Sequence, residues 1–535
     1  MKRTTLSLFA VTASLAVVTG VAALNPPSDG DDNGTRTTAA RMPVQRSTLL
    51  CPAPTSSEVG ETTYTAFTPP GKGSGGRTSA ADLLPAAGPA RTPVKKDDAK
   101  DAKDSKDSKD GKDGKDGKNA ARKDAQKDKG ASGEKQDLDK AVLSLKEPGR
   151  PVTAGTERSD APALIGTADG PLAPGWTVQQ TTAVAAGSGR GLHGLACAAP
   201  DTSFWFPAAS TAKGRQDYVH LTNPDSAAAV VDLELYGKDG RIKSATGEGV
   251  NVPPRSTVPV LLSTLTDVTD ENLTLHVAAR SGRVGAAVQA SDEKAGGDWL
   301  PASADGSPSL VLPGIPADAT SVRLVAFAPG TADADVKLRL AGPSGSITPA
   351  GHESLHIRSG TTTAVDLGDL TKGEAGSLLL TAERGTAPVV AALRVTRGKD
   401  DKQETAFIPA TPAVLERGTV ADNRPKAATL ALVAPGKDAQ VKVTASAGAE
   451  GGRPVSRTYT VKAGTTLSVE PPQPDGGKGG YALTVEKVSG GPVHASRMLA
   501  LPKDGVPMFT IQPVPDDRST VAVPEAEQDL SLLND

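Results

Sequence analysis

Tyr218-Val219-His220-Leu221-Thr222-Asn223-Pro224, followed by Ala229-Val230-Val231-Asp232-Leu233-Glu234-Leu235-Tyr236-Gly237, reads as strand, turn, strand. Apolar and polar residues alternate with period 2, and Asn-Pro breaks the run. The unit recurs as Val322-Arg323-Leu324-Val325-Ala326-Phe327 with Val336-Lys337-Leu338-Arg339-Leu340. It recurs again as Thr429-Leu430-Ala431-Leu432-Val433 with Val441-Lys442-Val443-Thr444. Each copy ends in a similar tag: Trp299-Leu300-Pro301, Phe407-Ile408-Pro409 and Phe509-Thr510-Ile511. The repeat length of roughly 100 residues is that of an immunoglobulin-like sandwich. The expectation is an all-β chain of tandem immunoglobulin-like β-sandwich modules over 197–304, 305–412 and 413–516.

Working outward, β-like pieces at 48–70 and 148–196 read as the two parts of a fourth, interrupted module. Between them, 71–147 reads as a disordered insertion. Its centre repeats Lys100-Asp101-Ala102, Lys103-Asp104-Ser105 and onward to Lys115-Asp116-Gly117. Alternating Lys and Asp cancel the local field and leave too little apolar surface to fold. Residues 25–47 read as a linker and 517–535 as a loose acidic tail. The 57 Gly and 43 Pro, with only 3% aromatics, favour small turn-rich β domains over one large enzyme core. A net charge of −3 gives no global attraction for nucleic acid or anionic lipid.

The amino terminus carries an address. Lys2 and Arg3 precede an apolar run from Leu6 to Leu24, with small residues at Val21-Ala22-Ala23. Residues 1–24 are a secretory signal or an uncleaved membrane anchor; both export the remainder. The chain contacts a membrane only through this segment, if it is uncut. Two cysteines occur in matching settings, Leu50-Cys51-Pro52-Ala53-Pro54 and Ala196-Cys197-Ala198-Ala199-Pro200. In an exported chain they read as a Cys51–Cys197 bridge, tying the amino-terminal segment to the 197–304 module. The alternative is two unpaired buried thiols.

Cys51-Pro52-Ala53-Pro54, Gly175-Trp176-Thr177-Val178-Gln179-Gln180-Thr181-Thr182 and Leu221-Thr222-Asn223-Pro224 together resemble a family of actinobacterial exported proteins with a domain of unknown function. The resemblance implies export and the repeated β fold, and it implies no chemistry.

Several motifs invite a chemical reading. His352-Glu353-Ser354-Leu355-His356 fits H-E-x-x-H, a zinc-hydrolase pattern that requires a helix to stack both imidazoles on one face. The repeat instead puts it at the start of a strand, where residues four apart lie roughly 13 Å from each other. Positions 359 and 362 are Ser and Thr, so no third His follows, and Glu374 falls in a polar loop. Asp29-Gly30-Asp31-Asp32-Asn33-Gly34 begins like a calcium loop, but Ala40 stands where the bidentate Glu belongs. Gly189-Arg190-Gly191-Leu192-His193-Gly194 fits G-x-G-x-x-G without a strand–turn–helix frame and reads as a loop. Asn272-Leu273-Thr274 fits a glycosylation acceptor but lies in an expected strand.

The functional expectation is a non-catalytic structural or interaction protein of the bacterial cell envelope, with no cofactor, no metal and no catalytic residue. Its partner is an unknown envelope protein or wall polysaccharide, and not nucleic acid. The alternative, a wall-polysaccharide binder, would need aromatic platforms. Trp176, Trp205, Trp299, Tyr218 and Tyr236 are the candidates. A remote alternative is a zinc-dependent hydrolase using His352, Glu353 and His356.

Overall fold

The computed structural model describes residues 40–71, 80–88 and 138–523, except 188, 384 and 386. The signal or anchor at 1–24, the Asp29–Gly34 motif, the Lys-Asp triplets and 524–535 lie outside the described residues. Every regular element among the described residues is a β-strand, apart from three short 3-10 turns.

The first strand, β1 (Ala40–Pro43), belongs to a small two-stranded sheet of the chain ends. The first module follows: β2 (Arg46–Cys51), β3 (Gly60–Phe67), β4 (Ala81–Pro85), β5 (Leu143–Leu145), β6 (Val152–Thr156), β7 (Leu164–Asp169), β8 (Thr177–Val184) and β9 (Gly191–Ala196). It forms two antiparallel sheets, β2-β7-β4-β5 and β6-β3-β8-β9.

The second module has β10 (Ser203–Ala209), β11 (Arg215–Thr222), β12 (Ala229–Gly237), β13 (Gly240–Ile242), β14 (Val250–Val252), β15 (Thr257–Leu261), β16 (Leu273–Ser281), β17 (Gly285–Asp292) and β18 (Gly296–Leu300). The third has β19 (Ser309–Ile315), β20 (Ala319–Phe327), β21 (Ala334–Ala341), β22 (Ser346–Ile347), β23 (Ser354–Ile357), β24 (Thr362–Asp366), β25 (Gly376–Ala382), β26 (Val390–Arg397) and β27 (Glu404–Pro409). The fourth has β28 (Arg417–Asn423), β29 (Ala428–Ala434), β30 (Ala439–Gly448), β31 (Val455–Val461), β32 (Thr465–Val469), β33 (Tyr481–Gly490), β34 (His494–Ala500) and β35 (Phe509–Pro513). Finally β36 (Thr520–Val523) pairs with β1.

All four modules share one topology. Sheets β10-β16-β12-β13 with β14 beside β12, β19-β25-β21-β22 with β23 beside β21, and β28-β33-β30-β31 repeat β2-β7-β4-β5. Sheets β15-β11-β17-β18, β24-β20-β26-β27 and β32-β29-β34-β35 repeat β6-β3-β8-β9. Period 2 produces this directly. Along β12, Ala229, Val231, Leu233 and Leu235 are buried while Val230, Asp232, Glu234 and Tyr236 are only half-buried.

The boundaries of the interruption move inward. β4 and β5 lie inside the stretch 71–147 expected to be disordered; they pair with each other, and β4 pairs with β7. The first module is therefore complete, and the charged segment joins β4 to β5. Ala81 and Leu83 on β4, with Leu143 and Leu145 on β5, enter the core around Leu49, Tyr64, Leu164 and Trp176. These strands are too short to stand out beside the surrounding Lys and Asp.

Cys51 and Cys197 are bonded. Their place differs from the expectation, because Cys197 follows β9 and closes the first module on itself. Its neighbour Ala198 exchanges backbone hydrogen bonds with Leu50, donating at 3.1 Å and accepting at 2.8 Å. The bridge thus links the two sheets of one sandwich, and it implies an oxidising, extracytoplasmic compartment.

The modules close into a ring. The first strand of each packs on the second sheet of the next: β2 on β17, β10 on β20 and β26, β19 on β29 and β34, and β28 on β3 and β8. The last strands β9, β18, β27 and β35 each touch two of the others in cyclic order and line the ring axis. The closing tags explain this. Phe407 packs into the core of the second module, and Phe509 and Ile511 into that of the third. Trp299 packs with Leu195 of the first module.

Replacing Cys51 by Ser should lower the free energy of unfolding by about 2–5 kcal/mol, because the bond closes a 146-residue separation. Urea unfolding of parent and variant, each with and without reductant, checks this; reductant should affect only the parent.

Candidate functional site

Polar side chains that β-sandwiches normally exclude are concentrated on the ring axis and at the seam between the fourth and first modules. In the middle modules, the cross-strand pairs next to the axis are apolar: Val288 with Leu300, and Leu393 with Ile408. The same positions of the fourth module hold Arg497 and Gln512, both fully buried. Arg497 Nη2 donates to Gln512 Oε1 and, at 3.1 Å, to Gln179 Oε1 of β8. Gln179 Oε1 also accepts the Asp422 N–H at 2.7 Å, and Thr181 Oγ1 donates to Asp422 Oδ2 at 2.8 Å. Two β8 residues thereby bind β28 and β34 across the closing seam. Arg497 Nε and Nη1 have no hydrogen-bond partner among the described residues, and burial pulls its pKa down to about 10.

Two carboxyls sit deeper on the axis. Asp298 of β18 accepts the N–H groups of Gly194 and Trp299 on Oδ1, both at 2.8 Å. Burial holds its pKa well above the ordinary range. Glu404 of β27 reaches across the axis to accept the Leu192 N–H of β9 at 3.1 Å. Burial raises it to about 8, opposed by the Leu192 N–H and by the charge of Arg190. There is room for this carboxylate because Gly191 and Gly296 lack side chains; a Cβ at either would lie 2.5–2.6 Å from a Glu404 oxygen. His193, buried beside Gly297, is lowered to about 4 by desolvation. Among the described residues, no three His, Cys, Asp or Glu side chains converge to hold a metal ion. The axis is a buried polar lock.

At one mouth of the axis lies a basin of about 420 Å³. The ends of all four axial strands reach it, through Ala198, Pro301, Ala410 and Pro513.

The structure scatters most residues the sequence singled out. His352 sits in a turn with its N–H on Pro349 O, and His356 lies on β23 with Nδ1 2.7 Å from Asp335. Glu353 turns back to accept the Gly351 N–H. The G-x-G-x-x-G stretch, read above as a loop, ends in strand: Gly191–Ala196 is β9, an axial strand. Thr274 is buried and accepts a hydrogen bond from the Thr362 hydroxyl of the third module. Trp176 and Trp299 are 4% and 1% exposed. Trp205 is stacked on His276 at 3.8 Å and on Phe327 at 5.1 Å. Tyr218 is half-buried on β11, and the Tyr236 hydroxyl donates to Glu234.

His276 also joins Ser203 (3.0 Å) to Glu234 (3.0 Å), the order of a hydrolytic relay. Glu234 is held as well by Arg241 at 3.0 Å, which weakens its support of the imidazole. The flanking N–H of Thr202 is engaged by Asp201, and Phe204 is paired with Val277 in the ladder. The neighbours of Ser203 therefore offer no oxyanion hole.

Fold and site together define a closed ring of four β-sandwich modules with a polar lock at its axis. Residues 152–472 match the model of a family of unknown function, DUF5719, and the chain belongs to that family. The match runs from β6 of the first module through β32 of the fourth. A search of curated proteins finds no match to this chain.

Arg497→Ala should lower stability by on the order of 3 kcal/mol, since it strands Gln179 and Gln512 and opens a cavity. Thermal melting checks it.

The acids also set a pH dependence. Glu404 binds its proton more tightly folded than unfolded, so its contribution is complete below the unfolded value near 4.5 and is lost as pH rises through about 8. His193 and His220, lowered to about 4, act oppositely, but only up to their unfolded value of 6.5. Between pH 6.5 and 8 the parent should therefore lose on the order of 1–2 kcal/mol, and Glu404→Gln should lose clearly less. Urea midpoints at the two pH values read this directly.

Proposed function

We propose that the chain is a non-catalytic structural or interaction protein of the cell envelope, a rigid extracytoplasmic ring that presents its basin to a partner. The observation that carries this reading is the use of the buried polar groups. Gln179, Thr181, Asp298, Glu404 and Arg497 face one another and the seams, whereas the open basin draws its wall from all four modules. The disulfide supports an extracytoplasmic setting, and the apolar run Leu6–Leu24 supports export. Polysaccharide binding is less well supported, because the tryptophans that could stack on sugar are buried or already stacked.

The test is capture of partners from the envelope fraction of producing cells by the intact protein. The comparison is with Ala199→Trp, at an exposed residue of the basin wall. An envelope protein retained by the parent and lost by the variant is the expected result. Identical capture, or none together with an unchanged envelope on gene deletion, would overturn the reading. The mass of the mature chain in medium and membrane fractions tells a free ring from a tethered one.

A further inference from the structure

A second cavity, of about 250 Å³, lies at the seam between the second and third modules, apart from the basin. Three cations contribute to its wall: Arg215 at the start of β11, Lys294 in the β17–β18 turn, and Arg394 on β26. The single carboxylate in the wall, Asp292, already accepts the backbone N–H groups of Lys294 (2.8 Å) and Ala295 (3.0 Å) through Oδ1.

The cations are held and only partly used. Arg215 is almost wholly buried and gives Nε and Nη2 to Asp217 at 3.0 and 2.8 Å, a bidentate pair that fixes the plane of the fork and leaves Nη1. Arg394 gives Nη2 to Glu271 at 2.7 Å and leaves its other donors. Lys294 forms no ion pair among the described residues. The hydroxyls of Ser321, Thr396 and Thr405 complete the polar wall, and the Phe407 ring gives it an apolar side. A guanidinium held rigid by its own carboxylate is preorganised, so little side-chain entropy is lost when a second acceptor arrives.

We propose that this seam cavity is a binding site for a small oxyanion, a carboxylate or phosphate group carried on a compact organic molecule. Arg215 and Arg394 supply planar donors, Lys294 supplies the mobile charge, and the hydroxyls fix orientation. The ligand would touch both modules, so binding would also clamp their seam.

The test uses the full purified chain, with inorganic phosphate and citrate titrated calorimetrically against chloride at matched ionic strength. Saturable binding of one or both anions, absent with chloride, is expected. Phosphate alone assigns a phosphoryl group, citrate alone a carboxylate, and both together a general oxyanion site. Lys294 is exposed, so Lys294→Ala should leave the melting temperature in chloride unchanged and weaken binding about tenfold. Thr405→Val should weaken binding without any change of charge. Absence of saturable binding, or equal affinity in parent and both variants, overturns the proposal.

Discussion

Everything in this molecule depends on one contact, that of the fourth module with the first. Three of the four seams join modules consecutive in the chain, so their closure follows from short connections. The last must bring together residues as far apart as Gln179 and Arg497, 318 positions from each other. Loop entropy opposes that contact but grows only with the logarithm of length, so a modest specific interaction can hold it. Phe67 with Ala421 and Ala482, and Leu192 with Leu499 and Met508, supply apolar burial there. The Gln179–Asp422–Arg497 network fixes the register.

This constraint also explains where the long charged segment can be tolerated. It connects β4 to β5, at the opposite edge of its sheet from β2, the strand that packs on the second module. The axial edge belongs to β9 of the other sheet. A hairpin connection on that outer edge can be lengthened without touching the axis. The first residues of that connection still belong to a seam, since the Ala87 N–H donates to Arg255 O and Ala87 O accepts the Thr257 N–H of the second module, so the added length begins beyond this contact. The same extension between β8 and β9 would fall beside Arg190, whose Nη2 donates to Gln403 O of the third module at 2.6 Å.

Much of the fold was legible because period-2 alternation and repeated tags are local signals. Val231, Leu233 and Leu235 announce their burial, and the Trp299, Phe407 and Phe509 tags announced repeating units. What the tags do was not legible: each buries its aromatic ring in a neighbouring module, and adjacency in space has no local signature. β5 was missed because three residues cannot display a period. The axial carboxyls were missed for a different reason. Asp298 and Glu404 look like any strand-edge charge until the ring places them where water cannot reach. Arg497 did carry a signal, since an Arg at a position holding Val288 and Leu393 in sister repeats marks a departure from core chemistry.

That departure has a physical role. Repeats joined head to tail present heterologous faces, which either close into a ring or continue into a filament. If all four seams were apolar and alike, the free face of the fourth module could add to another chain nearly as well as to its own first module. With Arg497, Gln512 and Asp422 on that face, a seam built like the middle ones, where Ala287 or Ala392 stands in the place of Gln179, would bury Arg497 without that acceptor and leave Asp422 without Thr181. Only β8, with Gln179 and Thr181, offers the matching acceptor and hydroxyl. Polar groups at the fourth seam therefore favour closure on the first module over the second or third, and the short connections between modules favour the first module of the same chain.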